Sequence, residues 1–408
     1  MKLNKKGPMS GVRVIDLTAI VSGPVATMML ADQGADVIKV EPIGGEQLRQ
    51  LGTPQPVGMT GIFLSCNRSK RSISLNLKSP KGLEIVKKLI ESADVFVQNF
   101  RPGAAKRLGL GEEQVRKLKK DIIYVSISGF GEKGPYSQQR VYDPVIQALS
   151  GLTDVQADQD KGIPRMVRTI IPDKTTSVTV AQAITAALFH REKNQEGQHV
   201  KIAMLDTMIA YLWPEAMSVL SFVGNEGDPR DGSLGLDLVF KTKDRYITAG
   251  AISDSEWHGM CSALNREDLI EDSRFISAKN RTVNRQERLQ IMSNEIKKWN
   301  SKELLLRFRG RGVPSAPVLN RSEVLEDPQV IENEIMQIYD DDKLGKIRQP
   351  RPAAIFDKTP SQIRSMAPQL GEHTGDILKE LGYSIEKIRS LLNENIINLK
   401  QSKNEGAI

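Results

Sequence analysis

The N-terminal third of this 408-residue chain alternates short apolar runs with helix-forming segments, and that alternation constrains the fold more than any other feature. Val12 to Leu17 reads as a buried strand. Ser22-Gly23-Pro24 leads into a helical stretch from Val25 to Asp32, and Gly34 supplies the residue that ends it. Asp36 to Glu41 is a second strand, and Ser72 to Leu77 alternates with period two. Ser79-Pro80 opens a helix whose apolar residues Leu83, Ile85, Val86, Leu89 and Ile90 recur at helical spacing. Val95 to Val97 and Ile122 to Ile127 are further strands, with a helical Glu112 to Lys119 between them. The pattern predicts an α/β fold, a mostly parallel sheet covered on both faces. Ligands of such sheets collect beyond the carboxyl ends of the strands, which here means Thr18 to Pro24, Gln98 to Gly103 and Ser128 to Tyr142.

The alternation breaks after a helical stretch predicted from Asp206 to Phe222. The turn-rich segment from Gly224 to Gly235 marks a boundary. A hairpin of Leu238–Phe240 and Tyr246–Ala249 follows, then helices over Ser253–Leu264, Val283–Trp299 and Lys302–Arg309. Gly312 to Val318 reads as a connector out of a smaller α+β domain. A helix near Ser322–Leu325, a strand near Ile335–Tyr339, coil over Gln349–Pro352, a helix over Thr374–Leu381 and a polar tail complete the chain. The expected domains are 1–223, 224–320 and a return to the first over 321–408.

One carboxylate stands out. Asp173 lies between the stiff run Thr169-Ile170-Ile171-Pro172 and a long helical segment. Pro172 fixes its own φ and biases Ile171 towards extended backbone, so the carboxylate is presented in a defined place. Thr175, Thr176 or Ser177 is available to cap the helix, whose body from Val178 to Phe189 is small and apolar nearly all round and so expected to be buried. Local sequence leaves two roles open for Asp173: a structural helix-start carboxylate, or a group that is used chemically.

Composition removes several function classes. With 39% hydrophobic and 26% charged residues the chain has the balance of a globular protein, and no apolar run approaches the ~20 residues of a membrane span. The basic N-terminus, Met1 to Pro8, has no apolar stretch behind it and does not read as a secretory signal. Cys66 and Cys261 lack companions at disulfide or metal spacing, which favours a reducing compartment, the cytoplasm. The net charge of +7 comes with only 5% aromatics and no basic helix, so a small anionic ligand fits better than nucleic acid. Gly-x-Gly-x-x-Gly, the P-loop, Gly-x-Ser-x-Gly, His-Glu-x-x-His and the EF-hand loop are all missing, and His190, His199, His258 and His373 are dispersed. The chemistry expected is that of ordinary side chains, with no metal.

A set of segments in fixed order carries a resemblance. Gly11 to Thr18 with Ser22-Gly23-Pro24, Gly34 to Glu41, Lys70 to Lys78, Ala93 to Gly103, Ser128 to Gly131, Tyr142 to Gly151, Gly197 to Asp206 and Leu370 to Thr374 together resemble the family III CoA-transferases, which include formyl-CoA transferase and carnitine CoA-transferase. The resemblance implies a Rossmann-like large domain built from both chain ends, an inserted small domain, and a homodimer of interlocked rings. It implies acyl-CoA and a small carboxylic acid as substrates, with no nucleic acid or membrane partner, and it places the catalytic aspartate on Asp173. The CoA site implied comprises Val21, Ser22, Leu75, Leu77, Asn99, Phe100, Arg101, Arg107, Arg140 and Tyr142. Arginines beyond strand ends suit the phosphates of CoA, which they contact bidentately. The activity implied is reversible transfer of CoA from an acyl-CoA, succinyl-CoA being a common donor, to a free acid through an aspartyl intermediate.

Two departures narrow this. The glycine run of formyl-CoA transferase has no match, and Gly232 to Gly235 is the nearest lid candidate. The related 2-methylacyl-CoA racemases carry a His immediately before the Asp at position 143, where this chain has Tyr142; a phenol with pKa ~10 is a poor base for an α-proton. A racemase or a non-catalytic CoA-binding homologue are the alternatives to transfer.

Overall fold

A computed structural model describes residues 6–52, 59–158, 161–227 and 237–399. Seven strands form the central sheet: β1 (Arg13–Leu17), β2 (Asp36–Glu41), β3 (Arg71–Leu75), β4 (Val95–Gln98), β5 (Ile123–Ser128), β6 (His199–Ala203) and, from the far end of the chain, a short strand at Ile397–Asn398. Their order is Ile397–Asn398, β3, β2, β1, β4, β5, β6, all parallel except the C-terminal strand, which pairs antiparallel with β3. The reversal of direction falls between β1 and β4, so the crevice beyond their carboxyl ends is the place where such a sheet binds ligands.

The sheet is sealed on both faces because its strands are apolar on both. Ile15, Ile38, Ile73 and Phe96 pack with Ile85, Val86, Leu89 and Ile90 of the helix Pro80–Glu91. On the other face Val14, Val37, Val95 and Val125 pack with Ala26 and Leu30 of α1 (Ser22–Asp32) and with Val180, Ile184 and Ala187 of a long helix, Ile171–Asn194.

Chain contacts divide the protein into Met1–Gly232 with Ile335–Ile408, and Ser233–Glu334. The second unit holds a three-stranded antiparallel sheet, Val239–Lys241, Tyr246–Ala249 and Ser315–Pro317, with helices packed around Trp257, Phe275 and Phe308. The stretch expected to be a connector, Gly312 to Val318, therefore contributes its edge strand, and Arg245 reaches Glu323 beyond it. By chain contacts the smaller unit runs on to Glu334.

Other differences have local causes. The helix expected over Asp206–Phe222 is Met204–Leu212, because Pro214 removes a donor and blocks the next turn. The C-terminal tail adds a helix at Ile385–Asn393. The long helix at Ile171–Asn194 buries one face only: Val178 and Phe189 are exposed. Residues Gly232 to Gly235, the lid candidate, lie outside the described residues.

Candidate active site

Three helix N-termini converge beyond the strand ends. Ser22 opens α1, Asp143 opens α2 (Asp143–Leu149), and Asp173 stands in the first turn of α3 (Ile171–Asn194). Pro172 fits that first turn because the N–H it lacks would have no helical partner there. The helix thus starts two residues before Asp173, and Ile171 is helical instead of extended. The hydroxyls expected to cap it bond backwards: Thr175 Oγ1 donates to the Ile171 carbonyl at 2.9 Å and Ser177 Oγ to that of Asp173 at 2.8 Å.

The Asp173 side chain belongs to a residue only 8% exposed. Ser22, at the positive end of α1, lines the same cavity as this carboxylate, and its hydroxyl and backbone N–H favour the charged form. The Asp173 N–H donates to Asp143 Oδ2 at 3.2 Å, and Gln147 Nε2 donates to Asp143 Oδ1 at 2.6 Å. Gln147 also accepts the Val167 N–H at 2.9 Å, tying the extended approach to α3 onto α2. Burial pushes the Asp173 carboxyl up and the Asp143 charge pushes it further; the Ser22 hydroxyl and N–H oppose both, and the result is about 6. Burial also raises Asp143, against the bonds from Gln147 and the Asp173 N–H.

Asp173 opens onto a cavity of about 320 Å³. Of the residues expected at the site, Ser22, Asn99, Phe100, Arg101, Arg140, Tyr142 and Asp173 line it together. Val21, Leu75, Leu77 and Arg107 do not. Val21 is buried against Phe63 and Leu48, Leu75 is wholly buried in the sheet, and Leu77 packs on that core. Arg107 is exposed, with its guanidinium against Gly103. A larger cavity of about 790 Å³ shares the Phe100, Arg101 and Phe130 wall but extends over β4, β5 and β6, past Ser126 and His199, and does not include Asp173. The perturbed carboxylate and the helix N-termini meet at the smaller one, which makes it the candidate active site.

The loop between β1 and α1 is held almost atom by atom. Asp16 Oδ1 accepts from the Thr18 N–H and hydroxyl, at 2.9 and 2.5 Å. Lys39 Nζ donates to the Thr18 carbonyl at 3.0 Å. The Asn99 amide pairs with Ala19 on both sides, accepting its N–H at 3.0 Å and donating to its carbonyl at 2.8 Å. Asn99 thus lines the cavity while its amide is spent on the loop. Ile20 has φ +69°, a left-handed conformation that a β-branched residue rarely adopts, and its N–H is held by Glu46 Oε2 at 2.9 Å. Gly23 is required beside it: a Cβ there would lie 2.3 Å from the Thr18 Cβ.

Beneath the loop is a buried set of charges that strand patterning did not reveal. Lys70 Nζ lies 3.0 Å from Asp16, Lys39 Nζ lies 3.1 Å from Glu46, and Arg49 grips Glu41 with two bonds of 2.7 Å. Burial alone would raise the Asp16 carboxyl, but Lys70, Lys39 and the Thr18 and Thr27 hydroxyls hold it well below the carboxylate range.

Residues 9–374 match the family described as CoA-transferase family III. The chain belongs to that family. It is 36% identical over 402 residues to the Homo sapiens succinyl-CoA:glutarate CoA-transferase, covering 97% of this chain and 91% of that protein. It is 35% identical over 392 residues to the Agrobacterium fabrum succinate–glutarate CoA-transferase, covering 93% and 96%. A solved CAIB/BAIF family protein from Brucella suis superposes with a TM-score of 0.80 at 29% identity, covering 92% of this chain and 100% of the other. The family III enzymes handle CoA thioesters, and among the described residues no group of three or more His, Cys, Asp or Glu is placed to hold a metal.

Proposed function

We propose that the chain transfers CoA reversibly from succinyl-CoA to a dicarboxylic acid of glutarate's kind, with Asp173 as covalent nucleophile. The observation that carries this is the buried Asp173 carboxylate, opening on the strand-end cavity with Ser22 and the α1 N-terminus against it. The names of the family III relatives supply the substrates.

The Asp173 carboxylate attacks the thioester carbonyl, forming a mixed anhydride and expelling CoA thiolate. The thiolate then attacks the aspartyl carbonyl of the anhydride, releasing the donor acid and leaving an aspartyl–CoA thioester. The acceptor carboxylate attacks that thioester, and the thiolate expelled again takes the acceptor's acyl group, restoring Asp173. No net proton is transferred, and one thioester replaces another, so no phosphate-transfer energy is needed. Burial makes the anion a better nucleophile by stripping its water. A value near 6 still leaves it mostly ionised at neutral pH.

Arg101 and Arg140, exposed at the cavity, are read as partners for the CoA phosphates, with Phe100 and Tyr142 against the pantetheine arm. Arg107, exposed beside Gly103, is read as a further partner for the CoA phosphates, whereas Val21, Leu75 and Leu77 support the site from within the core. We take the working form to be an interlocked homodimer in the cytoplasm; the free cysteines Cys66 and Cys261 suit a reducing compartment. The test is trapping. After incubation with succinyl-CoA, hydroxylamine or borohydride modifies Asp173, and modification of another residue instead would overturn the assignment.

A further inference from the structure

We propose that Glu46 is a positioning residue: together with Lys39 it holds the strained Ile20 peptide so that Ser22 stays aimed at Asp173. The inference rests on the reading of Asp173 as nucleophile.

Glu46 does not line the cavity, yet it is 5% exposed and carries a charge, which needs an explanation. Its two oxygens are divided between two tasks. Oε2 accepts the Ile20 N–H at 2.9 Å, and Oε1 faces Lys39 Nζ at 3.1 Å and accepts from Asn67 Nδ2 at 3.5 Å. Lys39, wholly buried, also donates to the Thr18 carbonyl, so one ion pair holds the loop on both sides of Ala19. The Glu46 backbone is fixed in turn, its N–H donating to Glu41 Oε2 at 3.3 Å, and Glu41 is clamped by Arg49. The position between is strained: isoleucine at φ +69° persists only where its surroundings over-determine it. Two residues later the same backbone enters α1 with Ser22, which lines the cavity with Asp173 and whose N–H and hydroxyl favour its charged form. Release of the Glu46 bond lets Ile20 relax to negative φ, and the swing of the peptide carries Ser22 off Asp173.

The charged and titratable groups facing Asp173 are Asp143 on α2, Cys66 on the neighbouring helix Gly61–Asn67, and Arg101, Arg140 and Tyr142 in the cavity wall. Those around Glu46 are Lys39, Lys70, Asp16, Glu41 and Cys66, the last near both carboxylates. Burial pushes the Cys66 thiol up to about 11, so it stays neutral and carries no charge between them, and a change at Glu46 reaches Asp173 through the loop.

The test uses succinyl-CoA and glutarate exchange followed from pH 5 to 9. The double substitution Glu46→Leu with Lys39→Met removes both buried charges together, which cores tolerate better than removal of one. Its kcat is expected to fall at least tenfold. The acid limb of kcat/KM, set by Asp173, is expected to move up by roughly one pH unit as Ser22 moves off the carboxylate. Adding Ile20→Gly, which accepts positive φ without strain, recovers part of both. Glu46→Met, which keeps much of the volume but has no oxygen to accept the Ile20 N–H, serves if the double variant does not fold, since Lys39 still faces Asp16 and Glu41, and its kcat and acid limb move the same way. Hydrogen exchange of the unsubstituted protein adds an independent reading: the Ile20 amide is protected like the sheet amides. A folded variant with unchanged kcat and acid limb, or an Ile20 amide exchanging like an open loop, overturns the proposal. Failure of the nucleophile reading looks different, because the unsubstituted protein would then not be trapped at Asp173.

Discussion

Replacing Asp173 by Asn should abolish transfer and at the same time stabilise the protein. The carboxyl titrates near 6 in the folded chain against 3.8 for an ordinary aspartate, a value that already includes the help from Ser22. At 1.36 kcal/mol per pH unit the difference amounts to about 3 kcal/mol. The sign follows from proton binding. A raised folded-state value means that the folded chain holds the proton more tightly than the unfolded one. Folding is therefore penalised in full above pH 6; the penalty shrinks as pH falls from 6 towards 3.8 and vanishes below. The side-chain amide of the variant cannot ionise and escapes the penalty, apart from whatever it loses against the two Ser22 donors. Chemical denaturation of both proteins at pH 7.5 is expected to show the Asp173→Asn variant more stable by up to about 3 kcal/mol, and the gap to close by about pH 4. A variant equal or less stable at that pH, or a difference that does not change with pH, refutes the reasoning. The same value predicts that kcat/KM of the unsubstituted enzyme falls roughly tenfold for each pH unit below 6.

Other expectations follow from particular contacts. Gln147→Leu leaves the Val167 N–H and Asp143 without their partner, and is expected to cost about 1–3 kcal/mol in denaturant unfolding and to lower kcat. Lys70→Met leaves Asp16 as a buried anion short of its closest cation, and should destabilise by about 3–5 kcal/mol, seen as a large drop in thermal midpoint. Arg101→Ala with Arg140→Ala should raise KM for the acyl-CoA at least tenfold with little change in kcat, and should flatten the dependence of KM on salt.

Much of the site was legible because strand ends are legible. Apolar runs at Val12–Leu17, Val95–Val97 and Ile122–Ile127 located the three segments that meet at the cavity, and a lone aspartate after Ile171-Pro172 marked the carboxylate. β6, as long as β1 and β3, alternates His199-Val200-Lys201-Ile202 and was open to the same period-two argument, yet it and the helix opening at Asp143 entered only through resemblance. Ile385–Asn393 has a clear apolar stripe, Ile388 and Leu391, and could have been found by the same spacing argument that found Pro80–Glu91. The charges of Asp16, Lys39 and Lys70 were hidden for a different reason. Each sits within or beside an apolar run, where pattern alone assigns a polar residue to the surface, and their partners are distant in sequence.

Periodicity and chain order depend on neighbours along the chain, so the amino-acid order was enough for the parallel sheet, the crevice and the choice of Asp173 as the candidate carboxylate. The state of that carboxylate came only with the folded molecule. Burial, Asp143 and Ser22 set its proton affinity, and they come from three helices whose N-termini meet only after folding. Folding likewise decides that Asn99 spends its amide on Ala19 and that Glu46, outside the cavity wall, holds Ile20 in place. Electrostatics and hydrogen bonds act through space, across separations of 30 and 80 residues in these cases, and no local pattern records them.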